Sequence, residues 1–335
     1  MTDPSPLSSD ASNGPSLTVV SITPDNYETV RRTIRHVRAQ SSRDEIELLL
    51  VAPSREALDA DDGELAEFRW VKIVEVGPLG ATGEVRARAV REASAPIIVF
   101  TEDHCFPEPG WAAALLARHA EPWAAVGPVL HNANPDTMVS WADLLIAYGP
   151  WLAPGTAGPH DHLPGHNSSY KVSILRAYGD RLAQLMEAES VLQWDLRRHG
   201  HELFLEPAAQ VSHTNFAYWN TFGPVQVMNG RVFADTRRRE WSALKRLAFA
   251  AASPMIPVVR FARAVRDGHR AGLPLSLLAR VVPALAGGML LDGVGQMLGY
   301  ALGADDGLRV DLVCFESHRV ERNARESGPS GTHTA

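Results

Sequence analysis

The sequence predicts an α/β fold with a helical C-terminal extension, on three observations. Short β-branched or apolar runs alternate with amphipathic stretches over the first hundred residues, the pattern of strand–helix–strand units. The apolar run Ala95–Thr101 ends in Glu102, Asp103 and His104, and an open α/β sheet holds its ligands at the C-terminal ends of its strands. Beyond Thr214 the strand-like runs give way to long apolar and basic stretches of helical character.

Each element follows from local pattern. Leu17–Ile22 is β-branched and reads as the first strand. Tyr27–Ala39 carries Val30, Ile34 and Val37 at helical spacing, and Ile46–Val51 is again apolar and strand-like. Phe68–Val76 reads as a third strand, Gly83–Ala93 as an Ala/Arg-rich helix, and Ala95–Thr101 as the strand that delivers Glu102 and His104. Loops rich in Pro, Gly and Asn dominate from Leu130 to Ser168 around a helix at Val139–Tyr148. A helix at Glu187–His199 leads into the strand Glu202–Leu205 and the segment Ala208–His213. The expected organisation is a disordered stretch 1–16, an α/β domain 17–215, a helical basic and apolar appendage 216–310, and a polar, disordered tail 316–335.

With 335 residues, 45% hydrophobic and 21% charged, the chain can bury a full core. Two cysteines, Cys105 and Cys314, are too few for a disulfide framework, and Met1–Ser16 has neither a basic start nor an apolar signal stretch, so a cytoplasmic location is expected. The net charge of −7 argues against a nucleic-acid partner, but the charge is uneven. Arg231–Arg270 holds ten basic residues against three acidic ones and is +7, leaving −14 for the rest. Beside the apolar stretches, that excess suits helices lying on an anionic membrane surface, peripheral on the inner face of the cell membrane. A helical subdomain packed on the core is the plainer reading.

The strand end carries the chemistry. In an extended segment Glu102 and His104 project to one side and Asp103 to the other, so the pair can share a divalent ion. Oxygen suits Mg²⁺ or Mn²⁺, and the imidazole moves the preference towards Mn²⁺ or a softer metal. His213 follows the apolar segment Ala208–Val211 and can return to the same sheet edge as a third ligand. The plainer readings are an acidic strand end facing solvent and a histidine without function.

Six segments occur in a set order: Val19–Pro24; Gly80–Ala93 with Arg86; Glu102–His104 followed by Phe106–Trp111; Leu163–Lys171; Glu187–Leu192; and Pro207–His213. Together they resemble the inverting family-2 glycosyltransferases of GT-A fold, a Rossmann-like nucleotide-diphospho-sugar transferase domain, with weaker likeness in the tail to membrane-associated members. The resemblance implies a nucleotide-sugar donor and a glycan or lipid-linked acceptor. Thr23, Pro24, Ser54, Arg86 and Asp103 would surround the donor; Glu102, His104 and His213 would hold Mn²⁺ or Mg²⁺. Gly165, Asn167 and Ser169 would lie on the donor and acceptor loop, and Glu189 would be the general base. Glu189 also reads as a helix-start carboxylate favoured by the macrodipole, Arg86 as a solvated helix face, and Gly165 as turn chemistry.

The departures from the family pattern are specific. Both aspartates of DxD are replaced, by Glu102 and His104, and Ala188 stands at the first acidic position of the family's ED pair. The second strand ends in Ala52, Pro53 and Ser54, without the usual acidic residue for the nucleobase. The processive QxxRW signature is absent, which favours single additions. A catalytically impaired GT-A-like protein, serving as a membrane-associated binding or scaffold protein, is the rival reading.

Overall fold

In a computed structural model that describes residues 14–326, the apolar runs assemble into one mixed nine-stranded sheet. Strands β1 (Leu17–Ile22), β2 (Ile46–Ala52), β3 (Trp70–Glu75) and β4 (Ile97–Thr101) pair in parallel in the order β3-β2-β1-β4. All seven residues of β2 and all five of β4 are buried, as expected for strands covered on both faces. The crossovers are α1 (Tyr27–Arg38) and α2 (Thr82–Glu92). Asn26 caps α1 by accepting from the Glu28 amide, and the helix buries Tyr27, Val30, Ile34 and Val37.

Five further strands follow: β5 (Cys105–Pro107), β6 (Ala125–Asn132), β7 (Gly158–His160), β8 (Ser169–Lys171) and β9 (Leu203–His213). They extend the sheet as β4-β8-β6-β9-β5, with β7 paired to β9. Sequence pattern misses β6 because Gly127 and Pro128 interrupt it. The pairing of β6 with β9 shifts register between Gly127 and Val129, the kind of irregularity at which a strand tolerates proline. The two expected segments Glu202–Leu205 and Ala208–His213 are one continuous strand, β9. Helix α3 (Trp111–His119) is also unanticipated; it buries Trp111, Ala112 and Leu115.

The remaining helices of eight residues or more are α4 (Met138–Tyr148), α5 (Glu189–Arg198), α6 (Trp219–Arg238), α7 (Ala243–Ala252), α8 (Ile256–Arg270), α9 (Leu275–Leu302), α10 (Asp306–Ser317) and α11 (Arg319–Glu326). The helical region shares the main core: Phe222, Val225, Leu278, Leu285 and Met289 pack in one cluster with Val129, Leu144 and Leu205. Residues 316–326, expected to be disordered, are helical, because Arg309 and Arg319 are buried among anionic partners that hold this segment down. Of the expected disordered start, residues 14–16 are described, with the Ser16 amide donating to the Glu45 carbonyl at 2.8 Å; residues 1–13 and 327–335 lie outside the described residues.

Helices α6 and α9 meet along a glycine seam. A Cβ on Gly230 would lie 2.3 Å from the Asp292 carbonyl oxygen, one on Gly295 2.2 Å from that of Val227, and one on Gly299 2.4 Å from that of Arg231. Gly295 and Gly299 of α9, like Gly230 of α6, therefore serve backbone-to-backbone packing. Gly295→Val must push the helices apart and is expected to destabilise the fold by about 1–3 kcal/mol. Thermal or denaturant unfolding checks this; an unchanged midpoint would show that the seam tolerates separation.

Candidate active site

The Glu102–Cys105 segment is a tight turn rather than the extended segment expected from sequence, with the Cys105 amide donating to the Glu102 carbonyl at 3.1 Å. The Thr33 hydroxyl of α1 sits within 3.0 Å of the carbonyl oxygens of Glu102 and Asp103 and 2.9 Å from that of Cys105, so the first crossover helix supports this turn. Glu102 and His104 thus converge through the turn. Strand β5 then runs antiparallel to the end of β9 with Cys105 opposite His213, and the Thr214 amide donates to the His104 carbonyl at 3.0 Å. That register sets the two imidazoles edge to face, 4.9 Å between centroids. The candidate ligand atoms of Glu102, His104, Cys105 and His213 all lie within 4.8 Å of one another.

Hydrogen bonding fixes which imidazole nitrogens face this cluster. The Asn215 amide nitrogen donates to Asn132 Oδ1 and the His213 carbonyl, so Asn215 Oδ1 is free to accept from His213 Nδ1 at 2.8 Å. His213 Nε2 therefore carries its lone pair, 3.8 Å from Glu102 Oε2. His104 Nδ1 pairs with Asp103 Oδ1 at 2.7 Å, leaving a buried Nε2 without a hydrogen-bond partner, 3.5 Å from Glu102 Oε2. Burial, reinforced by the Arg319 charge, holds both imidazoles well below 6.5, so both are neutral, the form that binds metal. Burial likewise pushes the Cys105 thiol up; its Sγ donates to Glu102 Oε2 and accepts from Asn167 Nδ2, both at 3.2 Å. Two nitrogens and a carboxylate, with each imidazole anchored through Nδ1, fit a divalent cation, the imidazoles moving the preference from Mg²⁺ towards Mn²⁺ or a softer metal.

The facing side of the cleft is built by α2, α5 and the Leu163–Ser168 loop. Arg86 ion-pairs with Glu189 at the first turn of α5, donates to the Met186 carbonyl at 2.9 Å, and lies 3.0 Å from His166 Nδ1. Burial pushes the Glu189 carboxyl up, but Arg86 and His166 outweigh it and hold its pKa below 4.5, so the group is ionised at neutral pH. A Cβ at Gly165 would come within 3.2 Å of Glu189 Oε2, so glycine lets the loop lie against this carboxylate. His166 Nδ1 is 3.3 Å from Glu102 Oε1 and 3.5 Å from Glu189 Oε1, joining the two halves. Arg86, Glu102, Asp103, His104, Gly165, Glu189 and His213 all line one cleft of about 1530 Å³.

No protein-family description matches the chain, and no curated protein does. Solved structures do. The chain is similar to a mannosyltransferase, PcManGT, from Pyrobaculum calidifontis in complex with GDP-Man and Mn²⁺, at 15% identity and TM-score 0.49, over 94% of this chain and 89% of that one. It is similar to S. aureus TarS 1–349 in complex with UDP, at 13% identity and TM-score 0.46, over 84% and 90% of the two chains. It is also similar to GalNAc-T7 with UDP, GalNAc and Mn²⁺, at 13% identity and TM-score 0.46, over 59% of this chain and only 43% of that one, less than half its length.

Five residues expected at the site do not line the cleft. Asn167, with φ at +67°, is fully buried and hydrogen-bonds Cys105 Sγ and Thr101 Oγ1; Ser169 is fully buried between His119 and the Val126 carbonyl. Both hold the loop to the sheet instead of facing a sugar or phosphate. Ser54 caps a short helix by accepting from the Ala57 amide, and Thr23 bonds Asp25 and the Asn26 carbonyl in the turn that Pro24 begins. Asp103, expected beside the donor, orients His104.

Four residues at the site were not expected there: Cys105, His166, Tyr148, whose hydroxyl donates to Glu102 Oε2 at 3.3 Å, and Arg319. His166 was readable in principle, lying between Gly165 and Asn167 in a loop already singled out. Asn215→Ala removes the acceptor that orients His213 and is expected to weaken Mn²⁺ binding about 10–100-fold, with His213→Ala weaker still. Calorimetric titration checks this; full Mn²⁺ affinity in both variants would exclude His213 as a ligand.

Proposed function

We propose that this chain is a GT-A-type glycosyltransferase that moves a sugar from a nucleotide-diphosphate donor to an acceptor hydroxyl, with inversion, metal assistance and one addition per encounter. The observation that carries the reading is an ionised, partly buried carboxylate, Glu189, sharing one cleft with two buried imidazoles and the partly buried Glu102 carboxylate. The strand order, four parallel strands continued by antiparallel β8, supports it by setting Glu102 at a strand end over the cleft.

Transfer forms a bond between the acceptor oxygen and the anomeric carbon and breaks the bond from that carbon to the diphosphate oxygen. The hydroxyl proton passes to Glu189, and the nucleoside diphosphate departs with the bond's electron pair. Glu102, His104 and His213 would hold a divalent cation that stabilises the departing charge as a Lewis acid. Arg86 keeps Glu189 ionised and, with the Gly165 loop, fixes its direction. A displacement of this kind uses no covalent enzyme intermediate, so the acceptor oxygen is the nucleophile and the chain need not supply one.

Glu189→Gln keeps the shape of the base and removes its proton affinity, so transfer should slow by about 10²-fold or more while donor binding persists. Because the Glu189 pKa is lowered, wild-type transfer should hold on acidification until the pH falls below the ordinary glutamate value, then decline as Glu189 takes up its proton. Initial rates across pH and donor titrations measure both effects; full activity in Glu189→Gln would remove this residue from the mechanism.

We further propose that α7–α9 rest on an anionic membrane at the cytoplasmic face and that the acceptor is a lipid-linked glycan. Two stretches here, Ala243–Arg270 and Leu275–Leu302, are long and apolar enough to cross a membrane. Their exposed apolar residues, with Leu244 79% and Leu275 71% accessible and Met255, Val258 and Leu290 beside them, support an interfacial face. Several arginines of the basic segment are turned inward: Arg237 to Tyr300, Arg238 to Asp235, and Arg260 to Asp292. Arg239, Lys245, Arg263, Arg266 and Arg270 remain exposed to meet headgroups. Vesicle binding should require anionic lipid and weaken with salt. Co-sedimentation tests this, and equal recovery with neutral and anionic vesicles would overturn it.

A further inference from the structure

Arg319, from a segment whose composition reads as a disordered tail, is buried beside the candidate metal centre. Its Nη1 lies 3.3 Å from His213 Nε2, the lone pair assigned above to a cation, and 3.3 Å from the Thr214 carbonyl. Asp143 is 3.6 Å away, Glu316 pairs with Nη2, and the guanidinium stacks on Phe216 at 4.3 Å. Its Nε is buried without a hydrogen-bond partner, and Arg319 lines the same cleft as Glu102 and Glu189.

The helices that carry Arg319 are fixed at several points. Arg309 pairs with both Glu187 and Asp235, His318 Nε2 lies 2.8 Å from Asp25 in the loop after β1, and Asn323 bonds the Asn215 carbonyl and the Ala217 amide. The charge is thus held in place by contacts with β1's loop, α5's start and the end of β9.

A guanidinium keeps its charge at any ordinary pH, and here it occupies the approach to the nitrogen that a divalent cation needs. Two cations this close repel unless an anion lies between them. A diphosphate meets that need, since its oxygens accept the N–H groups of arginine on one side and a metal on the other. We propose that Arg319 is a phosphate-binding residue of the donor site, supplied by the C-terminal helices, and that it makes cation and diphosphate binding mutually dependent. The inference rests on the glycosyltransferase reading and names a further contact with the donor.

Reciprocal linkage makes this measurable on the full chain with Mn²⁺ alone, inorganic pyrophosphate alone, and both together, after allowance for their complex in solution. In the wild type, Mn²⁺ should tighten pyrophosphate binding by at least about fivefold, and the reverse equally. Arg319→Gln should bind Mn²⁺ alone more tightly and lose most of that coupling, and Arg319→Lys should restore it. Coupling of wild-type size in a folded Arg319→Gln overturns the proposal. Glu316→Gln provides a second arm that spares the arginine: with its paired carboxylate neutralised, pyrophosphate should bind more tightly, and unchanged or weaker binding counts against the idea even if Arg319→Gln fails to fold. Wild-type protein that binds pyrophosphate through Arg319 but takes up no Mn²⁺ would instead sink the metal-assisted reading.

Discussion

The antiparallel pairing of Cys105 with His213 is the constraint on which the site depends. It joins two segments more than a hundred residues apart in the chain, and a slip of one residue would turn His213 to the opposite face of the sheet. The surrounding polar atoms reinforce that register. Thr33 gathers the carbonyls of the turn from one side, while Asn215, itself held by Asn132 and Asn134, fixes the His213 ring from the other. The two imidazoles meet because the backbone leaves them no other place.

Charge balance is the second organising feature. Burying an ion is costly unless a partner of opposite sign is close, and losing one partner leaves the other stranded. Arg86 answers Glu189, and Arg319 answers Asp143 and Glu316, so each side of the cleft carries its own cation among carboxylates. The cluster between them, two neutral imidazoles and the Glu102 carboxylate with an unpartnered His104 nitrogen, is where an added cation would complete the polar pairing.

The first half of the fold was legible because β1 to β4 and α1, α2, α4 and α5 are long enough to show their periods. Three-residue strands such as β5 and β8 carry no such period, and the Gly127–Pro128 pair hides β6. At the site, Glu102, His104, Arg86, Glu189 and His213 could be placed because strand and helix ends locate side chains. Asn167 and Ser169 could not: whether a loop residue faces the cleft or the sheet depends on a positive φ at Asn167 and on His119 from a helix the pattern did not reveal. Arg319 was hidden for a different reason. A polar stretch orders only when distant partners hold it, and those partners, Asp25, Asp143, His213 and Asn215, lie far back in the chain.

Arg309 bears on whether the sheet half can be separated from the helices that follow it. Its guanidinium is shared between Glu187, which also accepts from the Gly83 amide at the start of α2, and Asp235 in α6. A fragment ending at Asn215 would keep Glu187 with its cation gone, just ahead of the Glu189 helix, and would strip Phe222 and Met289 from the core they share with Val129. At the boundary its composition suggests, the chain has no clean electrostatic break: the Glu187 carboxylate just ahead of α5 is balanced by a residue that arrives only near the end of the described fold.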